Sequence, residues 1–364
     1  MAKLCELKVV APVPWFPPLK LFKKWYKFSQ IPFREEIDGL EVYHPRFIVL
    51  PKIGRSLYGF LYFLAVVPLL KRIAKEYPFD HLDVHWAYPD GFAGILLAKL
   101  LKKTVSITVR GVDIISFTRY SLLRRLIVYA LKRADLTIAV CDDLKRRVLD
   151  LGVGREKVVT VSNGVDVDRF YMIEKISTRE ALKLPLEKTI ILSVGHLIER
   201  KGFHYLIEAV SKIVTAGRKD ILLLVIGEGE YRPILERQIE NLGLSDFVRL
   251  MGAKSHTELY KWYSAADLFC LVSNSEGWAN VILEALATGT PVVATAVGGL
   301  PEIIPSEEYG ILVEDQDVGK LARAIERALD KEWETGKLIA YAQENSWNKC
   351  AGKVLERIEA IASS

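Results

Sequence analysis

The stretch SNSEGWANVILEALATGTPVVATAVGGLPE, Ser273 to Glu302, decides the fold. Ser273, Asn274, Ser275 and Gly277 are turn formers, so the segment opens as a loop. Val281 to Ala287 is apolar around a single acid, Glu284, and reads as a buried helix, with Asn280 as the expected cap and Gly289 as the expected stop. Pro291-Val-Val-Ala-Thr295 then reads as a short buried strand, and Gly298-Gly299 turns the chain out of it. The N-terminus of such a helix presents unpaired N–H groups and the positive end of a dipole, an environment that favours a phosphate. Glu276 lies just before the helix and Glu284 inside its second turn. A carboxylate buried alone is costly, so Glu284 needs a partner such as a sugar or ribose hydroxyl. The same residues also suit a plain αβ unit of a parallel sheet, with both acids in structural hydrogen bonds.

Outward from that stretch, 364 residues are too many for one ordinary core and suit two domains. The composition, 50% apolar and 26% charged, is that of a globular chain. Residues 1–120 carry 18 Lys and Arg against 10 Asp and Glu, or +8 of a total of +5, so the remainder sums to −3. A basic first half suggests an acidic partner for it, while no Lys/Arg stripe of the nucleic-acid-binding type is present. Cys5, Cys141, Cys270 and Cys350 are far apart and form no C-x-x-C pair, which argues against a disulfide framework or a zinc site and fits a reducing cytoplasm. Met1 to Val10 carries charges through its only apolar run, unlike a signal peptide. The longest apolar stretch, Tyr58 to Leu70, contains Pro68 and is expected to be too short to span a bilayer.

Taken in order, Leu7 to Val13 reads as a strand, and Pro12, Pro14, Pro17 and Pro18 force an extended passage after it. Lysines and aromatics interleave from Leu19 to Phe28, as a membrane-surface patch would, or as a solvated helix whose aromatics pack inward. Tyr58 to Tyr77 reads as a helix ending before Pro78, His81 to Trp86 as a strand, Tyr88-Pro-Asp-Gly91 as a turn, and Phe92 to Leu101 as a helix. Thr104 to Val109 is a strand whose C-terminal tip, Arg110-Gly-Val-Asp113, sits where open parallel sheets bind ligands. Helix Arg124–Arg133, strand Leu136–Val140, helix Asp142–Leu151 and strand Val158–Val161 continue a βα repeat. Residues 167–188 show no strand pattern and read as a linker.

The second half begins with strand Thr189–Val194, a loop from Gly195 to Gly202, and helix Phe203–Thr215. A glycine between strand and helix followed by two cations, Arg200 and Lys201, is a phosphate-reading layout or, more plainly, a charged surface loop. Strand Ile221–Ile226 ends in Gly227-Glu-Gly229, but Arg232 replaces the third glycine of a dinucleotide fingerprint, so a dehydrogenase is rejected. Val248 to Gly252 is a strand and turn, Glu258–Ala266 a helix and Leu268–Val272 a strand. The tail, Trp347 to Ile361, is an amphipathic helix with Leu355 and Ile358 on one side.

Glu276-x7-Glu284, Gly289-Thr-Pro-Val-Val-Ala-Thr295, Val297-Gly-Gly299 and Pro301-Glu302 together resemble the signature of retaining nucleotide-sugar glycosyltransferases of the GT-B fold, group 1 and family 4 type. Residues 189–345 resemble the donor domain along their whole length, and Ser162-Asn-Gly-Val-Asp166 resembles the boundary motif. Ala11-Pro-Val-Pro-Trp-Phe-Pro17, Tyr88-Pro-Asp-Gly91 and Arg110-Gly-Val-Asp113 resemble the surface-polysaccharide, teichuronic-acid-type subgroup. The resemblance implies an α/β fold of two Rossmann-like parallel-sheet domains facing across a cleft. An acceptor-side domain 1–166 would be packed by a returning helix 346–364, and a linker 167–188 would lead to a donor domain 189–345.

It further implies that Lys201, with Arg200 beside it, neutralises the leaving diphosphate, that Glu276 contacts the donor sugar, and that Glu284 grips the ribose. Fixed cations aimed at developing charge are among the largest catalytic effects, so no Asp-x-Asp metal site, structural metal or redox cofactor is expected. Gly195, His196, Gly202, Met251, Gly252, Trp278, Ala279 and Asn280 complete the implied donor site, and Arg110 and Asp113 are acceptor-side candidates. The expected partners are a nucleoside diphosphate-sugar, a carbohydrate or lipid-linked acceptor and the inner face of a membrane touched peripherally, with the protein in the cytoplasm and no nucleic acid bound. Three departures from the pattern stand out: Arg110 where many members have histidine, His196 where many have arginine, and only six residues before the segment matching Leu7 to Pro18, where relatives carry a further strand, glycine loop and helix. A non-catalytic donor-binding protein and a nucleotide-sugar epimerase remain as alternatives to the transferase.

Overall fold

The computed structural model of the chain describes residues 1–17, 23–50, 54–314 and 317–362. The chain divides into two compact units, Met1–Ser162 with the chain from Ala351 onward, and Asn163–Cys350.

In the first unit, short strands β1 (Val9–Val10) and β2 (Val13–Trp15) replace the single strand expected from Leu7 to Val13. Pro12 has no N–H to give to a ladder, and the two pieces join different sheets. β1 pairs with β4 (Leu40–Tyr43), which is also hairpinned to β3 (Arg34–Ile37); β2 pairs with β5 (Arg46–Ile48). The hairpin turn is Asp38-Gly39, both at positive φ, a two-residue turn signal in the sequence that carried no expectation. β6 (His81–His85), β7 (Thr104–Val109), β8 (Leu136–Ala139) and β9 (Val158–Thr160) form a four-stranded parallel sheet in that order. Val354 and Ile361 of the terminal helix Trp347–Ala362 pack against Leu136, Ile138 and Val161 of this unit.

The helix Tyr58–Glu76 runs through Pro68, and the Arg55–Glu76 stretch is long and apolar enough to cross a membrane by length and composition, which corrects the expectation of a run too short to do so. Its buried face, Val66, Leu69, Leu70 and Ile73, packs with Tyr43 and Leu97 in the core, so this helix is anchored along one side of the unit. Of the lysine and aromatic patch, Leu19 to Phe22 lie outside the described residues; Trp25 stacks edge-on with Phe28 within the helix Lys23–Ser29 and also packs against Phe16.

The second unit holds a six-stranded, wholly parallel sheet. Its strands are β10 (Thr189–Val194), β11 (Ile221–Ile226), β12 (Val248–Leu250), β13 (Leu268–Leu271), β14 (Val292–Thr295) and β15 (Gly310–Val313), in the spatial order β12-β11-β10-β13-β14-β15. β11, β13 and β14 are buried at every residue, as continuous apolar strands covered on both faces must be. Alternate residues separate cleanly. Ile190, Leu192, Leu222 and Leu224 join one core with helices Leu259–Ala265 and Asn280–Ala287, while Ile191, Leu223 and Val225 join another with helix Phe203–Thr215. The stretch 167–188, read from sequence as a linker, belongs to this unit and contains the helix Lys175–Ala181, whose Arg179 is buried and donates to the Asp267 carboxylate at 2.6 Å.

The order of this sheet reverses between β10 and β13. Crossovers from β10 lead outward one way and those from β13 the other, so the carboxyl ends of these two strands mark the topological switch point of the sheet, the position where open parallel sheets bind ligands. Ser193 Oγ donates to the Cys270 carbonyl at 2.7 Å and pins the two strands together just below it.

Candidate functional site

Two loops meet at this switch point: Gly195–Gly202 after β10, and Ser273–Ala279 after β13. They are tied by the Asn274 N–H, which donates to the Arg200 carbonyl at 2.8 Å. Gly202 sits at φ +67, and a Cβ there would lie 2.0 Å from the Val272 carbonyl oxygen, so only glycine lets the first loop pass this close to the second. Gly298, at φ +56, does the same for the other side: a Cβ would lie 1.9 Å from the Glu276 carbonyl oxygen. Thr295 Oγ1, donating to the Ser273 carbonyl at 2.7 Å, anchors the base of the second loop.

These constraints bring Lys201 and Glu276 together. Lys201 Nζ lies 2.5 Å from Glu276 Oε1, and Arg200 Nη1 lies 3.5 Å from Glu276 Oε2 while also donating to the Ser275 carbonyl. Glu276 is 7% exposed, whereas the Arg200 side chain is 40% exposed. The result is a carboxylate sunk between two cations, one of which still reaches solvent.

The helix Asn280–Ala287 starts beside this cluster. Asn280 is its first residue and not its cap: the cap position is Ala279, with no side-chain bond to the first turn, because the Asn280 side chain accepts instead from Asn163 Nδ2 at 3.2 Å. No cap side chain bonds the first turn, whose Ile282 N–H donates to the Ala279 carbonyl at 3.1 Å. Gly289, at φ +76, ends it as expected. Close by, the Ser273 hydroxyl and the Trp278 indole N–H are buried without a hydrogen-bond partner among the described residues. Buried polar atoms of this kind are candidate ligand contacts.

Glu284 lies one turn along and is 6% exposed. Tyr263 Oη donates to its Oε2 at 3.0 Å, and His256 Nε2 stands 3.4 Å from its Oε1. His256 in turn meets Arg169 through Nδ1 at 3.2 Å. Burial pushes the Glu284 carboxyl above its ordinary range, and the Tyr263 hydrogen bond and His256 pull it back. The same burial, together with the neighbouring carboxylate, drives the Tyr263 hydroxyl far up, so it acts only as a donor. Tyr263, His256 and Arg169 were not singled out in the sequence. Their only signal was the acid itself, which demanded a partner somewhere in the fold.

The remaining donor-side candidates line the same edge of the sheet. The Gly195 N–H donates to the Ile226 carbonyl at 3.0 Å, and the Gly227 N–H to the Gly252 carbonyl at 3.0 Å. The Met251 N–H is used by Val225 at 2.8 Å. His196 is exposed, with Nδ1 3.4 Å from the Glu228 carbonyl oxygen.

In the first unit, Arg110 follows β7 and its Nη2 reaches His85 Nδ1 at 2.9 Å. Asp113 is a correction. It is completely buried, and its carboxylate accepts from the backbone N–H groups of Ala87, Arg110 and Gly111 at 2.9, 3.1 and 2.9 Å. It fastens the loop after β7 and presents nothing to an acceptor. Among the described residues no group of three or more His, Cys, Asp or Glu is gathered as a metal site, and all four cysteines are free.

Residues 174–345 match the family described as Glycosyl transferases group 1, and residues 28–169 match Glycosyltransferase Family 4. Each match covers less than half of the chain, and together they make it similar to glycosyltransferases over most of its length, with the parallel-sheet α/β architecture of the GT-B fold. Among its relatives is N-acetyl-alpha-D-glucosaminyl L-malate synthase of Bacillus anthracis, 28% identical over 275 residues, covering 74% of this chain and 71% of that one. Another is D-inositol 3-phosphate glycosyltransferase 2 of Catenulispora acidiphila, 35% identical over 206 residues, covering 54% of this chain and 48% of that one. The chain spans about half the length of that second relative and of the lipopolysaccharide core glycosyltransferase LpsE of Rhizobium meliloti, 54% covered. Among solved structures, sucrose-phosphate synthase of Thermosynechococcus elongatus aligns with a TM-score of 0.78 at 24% identity, over 91% of this chain and 86% of that one. Anabaena HepE in complex with UDP and glucose aligns at 0.71 and 21%, over 87% and 86%. Both likenesses speak to the fold.

Proposed function

We propose that the protein is a retaining glycosyltransferase that moves a hexose-type sugar from a nucleoside diphosphate to a carbohydrate or lipid-linked acceptor during glycan synthesis. The observation that carries this reading is the convergence of Lys201 and Arg200 on Glu276 beside an uncapped helix start at the sheet's switch point. A diphosphate placed there meets two cations and backbone N–H groups, the combination that stabilises a departing diphosphate. Glu276 then turns to donor-sugar hydroxyls, and Glu284, held by Tyr263, takes the ribose. The buried Trp278 N–H and Ser273 hydroxyl gain partners from the bound donor. Gly195, Gly202, Met251, Gly252, Ala279 and Asn280 line this donor site by backbone, and His196 lies at its rim.

In the step itself, the bond from sugar C1 to the β-phosphate oxygen breaks and the acceptor oxygen bonds to C1 on the same face. The acceptor's proton leaves with the phosphate. The chain supplies positioning and charge and needs no nucleophile of its own, no metal and no redox cofactor. Arg110, with His85, stands on the acceptor-side unit. The motifs at Ala11–Pro17, Tyr88–Gly91 and Arg110–Asp113 favour a surface polysaccharide of the teichuronic-acid class as the product, made in the cytoplasm at the inner membrane face. UDP, named in the HepE complex, is the first nucleotide to test.

The test is nucleoside diphosphate release from UDP-hexoses with a carbohydrate acceptor panel, with the anomer of the product read by NMR. An inverted anomer removes the retaining mechanism. Nucleotide binding without any release or transfer across the panel leaves only a donor-binding protein.

A further inference from the structure

The exposed side of the helix Tyr58–Glu76 is neither polar nor random. Phe60 and Leu64 are each 50% exposed, Pro68 is exposed after them, and the line continues into exposed Lys71, Arg72 and Lys75. The spacing of four places these residues on one stripe, apolar in its first half and basic in its second. The apolar half extends sideways. Leu57, at 55% exposed, precedes the helix, and Ile48 and Leu50, at 52% and 49%, lie on and after β5, which packs against it. The turn Arg55–Leu57 also packs against the helix Ser121–Arg133, whose start exposes Tyr120 and Leu122. Monomeric surfaces seldom gather this many large apolar side chains without a partner.

The same corner is basic. An open pocket of about 490 Å³ is lined by Thr118, Arg119, Ser121, Arg124, Arg125 and Val128. The three arginines are exposed, and none forms an ion pair among the described residues. Residues 1–162 carry 27 Lys and Arg against 15 Asp and Glu, so the charge of this unit is concentrated well above that of the whole chain.

We infer that this corner of the first unit is a docking surface for an anionic lipid bilayer. Leu57, Phe60 and Leu64, with Leu122, enter the acyl boundary, and Arg119, Arg124 and Arg125 take lipid phosphates. Lys71, Arg72 and Lys75 extend the charged contact along the same helix. The other face of the helix is committed to the core through Val66, Leu69, Leu70 and Ile73, so it lies on a membrane and does not cross it. Charge complementarity selects this occupant, since a neutral protein partner would leave three arginines without partners at the rim of an apolar patch. The inference deepens the reading of a membrane-borne acceptor, but it is measured without transfer.

The experiment is flotation with vesicles of phosphatidylcholine alone and of phosphatidylcholine mixed with phosphatidylglycerol. Two double variants are used, Phe60→Ser with Leu64→Ser and Arg124→Glu with Arg125→Glu, each checked for an unchanged thermal melt and unchanged UDP affinity. The native chain is expected to float with anionic vesicles only. The arginine variant is expected to bind them more than about tenfold more weakly, because each basic side chain at an anionic surface counts for roughly a factor of several. The apolar variant should lose binding as well. Equal recovery with both vesicle types overturns the inference, as does full binding by either variant. Release from the vesicles by inorganic phosphate would make the pocket a free-anion site instead, and a concentration-dependent dimer abolished by Phe60→Ser with Leu64→Ser would give the patch to a second copy. No binding of the native chain to anionic vesicles, with nucleoside diphosphate release intact on a soluble acceptor, sinks this inference alone. The reverse result sinks only the transferase reading.

Discussion

Replacing Lys201 with alanine separates a structural ion pair from a phosphate ligand, because the two roles respond differently to a second substitution. Lys201 Nζ is 2.5 Å from Glu276 Oε1, and the carboxylate is 7% exposed. Removing one member of a buried ion pair costs about 3–5 kcal/mol when the other is stranded. Here Arg200 remains 3.5 Å away on the other oxygen, so a loss of about 2 kcal/mol is expected, visible as a lower melting temperature. If Lys201 also holds a diphosphate, a charged hydrogen bond worth about 1.5–3 kcal/mol disappears, and the UDP dissociation constant rises about ten- to a hundredfold. Adding Glu276→Ala removes the stranded acid. Stability should then return toward that of the native chain, while nucleotide affinity should stay low. Calorimetry with UDP and a thermal melt on the native, single and double variants give the comparison. Affinity within about twofold of native in Lys201→Ala, or affinity that recovers together with stability in the double variant, would falsify the phosphate role and leave a purely structural pair.

Other perturbations read other parts of the design. Gly298→Ala must either accept φ +56, at about 1–2 kcal/mol, or displace the Glu276 backbone 1.9 Å from the new methyl, so it should lower transfer far more than it lowers the melting temperature; a loss of stability alone counts against it. Tyr263→Phe strands Glu284 Oε2 in a buried site, which should cost about 1–3 kcal/mol in stability and weaken UDP binding, and an unchanged melt would show that the 3.0 Å bond contributes nothing. Asp90 is raised from 3.8 to about 6, chiefly by burial, with Tyr62 Oη donating to it at 3.0 Å. The folded chain therefore keeps a proton there that the unfolded chain releases, and stability falls as pH rises from about 4 to about 6, by roughly 3 kcal/mol in all. Asp90→Asn should remove that slope from denaturant midpoints measured across the window, and an unchanged slope would assign it to another group.

Periodicity and breakers located most of the second unit. Strands Thr189–Val194 and Ile221–Ile226 and helix Phe203–Thr215 fall where their apolar patterns place them, because a parallel strand covered on both faces is one unbroken apolar run. Asn280 shows where local reading fails: a good capping residue stands in the right place, yet its amide is spent on Asn163, which is 117 residues away. Asp113 fails for a different reason. An acid at the tip of a strand suggests a ligand, but three backbone N–H groups from two loops close around it. Tyr263 and His256 belong to a helix and a loop with no motif, and only the fold brings them to Glu284. For Asn280 and Glu284 the deciding partners are distant in sequence, whereas two of the three N–H groups around Asp113 lie within three residues of it.

A contact between loops distant in sequence also holds the charged cluster at the switch point together. Two cations left alone beside an uncapped helix start would repel one another and the helix dipole, and the loop carrying them is bounded by the turn formers Gly195 and Gly202. Glu276 supplies the countercharge, and Gly298 and the Asn274–Arg200 backbone bond hold it in register. On the proposed reading, an arriving diphosphate brings its own negative charge, takes over the lysine, and releases the carboxylate toward a hydroxyl. The acid then has two uses, holding the empty site in shape and gripping the donor in the filled one. The two uses have opposite consequences for Glu276→Gln. An amide is a weaker partner for Lys201 but still bonds a hydroxyl, so the variant should lose more stability in the empty protein than in the UDP-bound one. Thermal melts with and without saturating UDP measure that difference directly. An equal loss in both states would mean that Glu276 keeps its hold on Lys201 throughout.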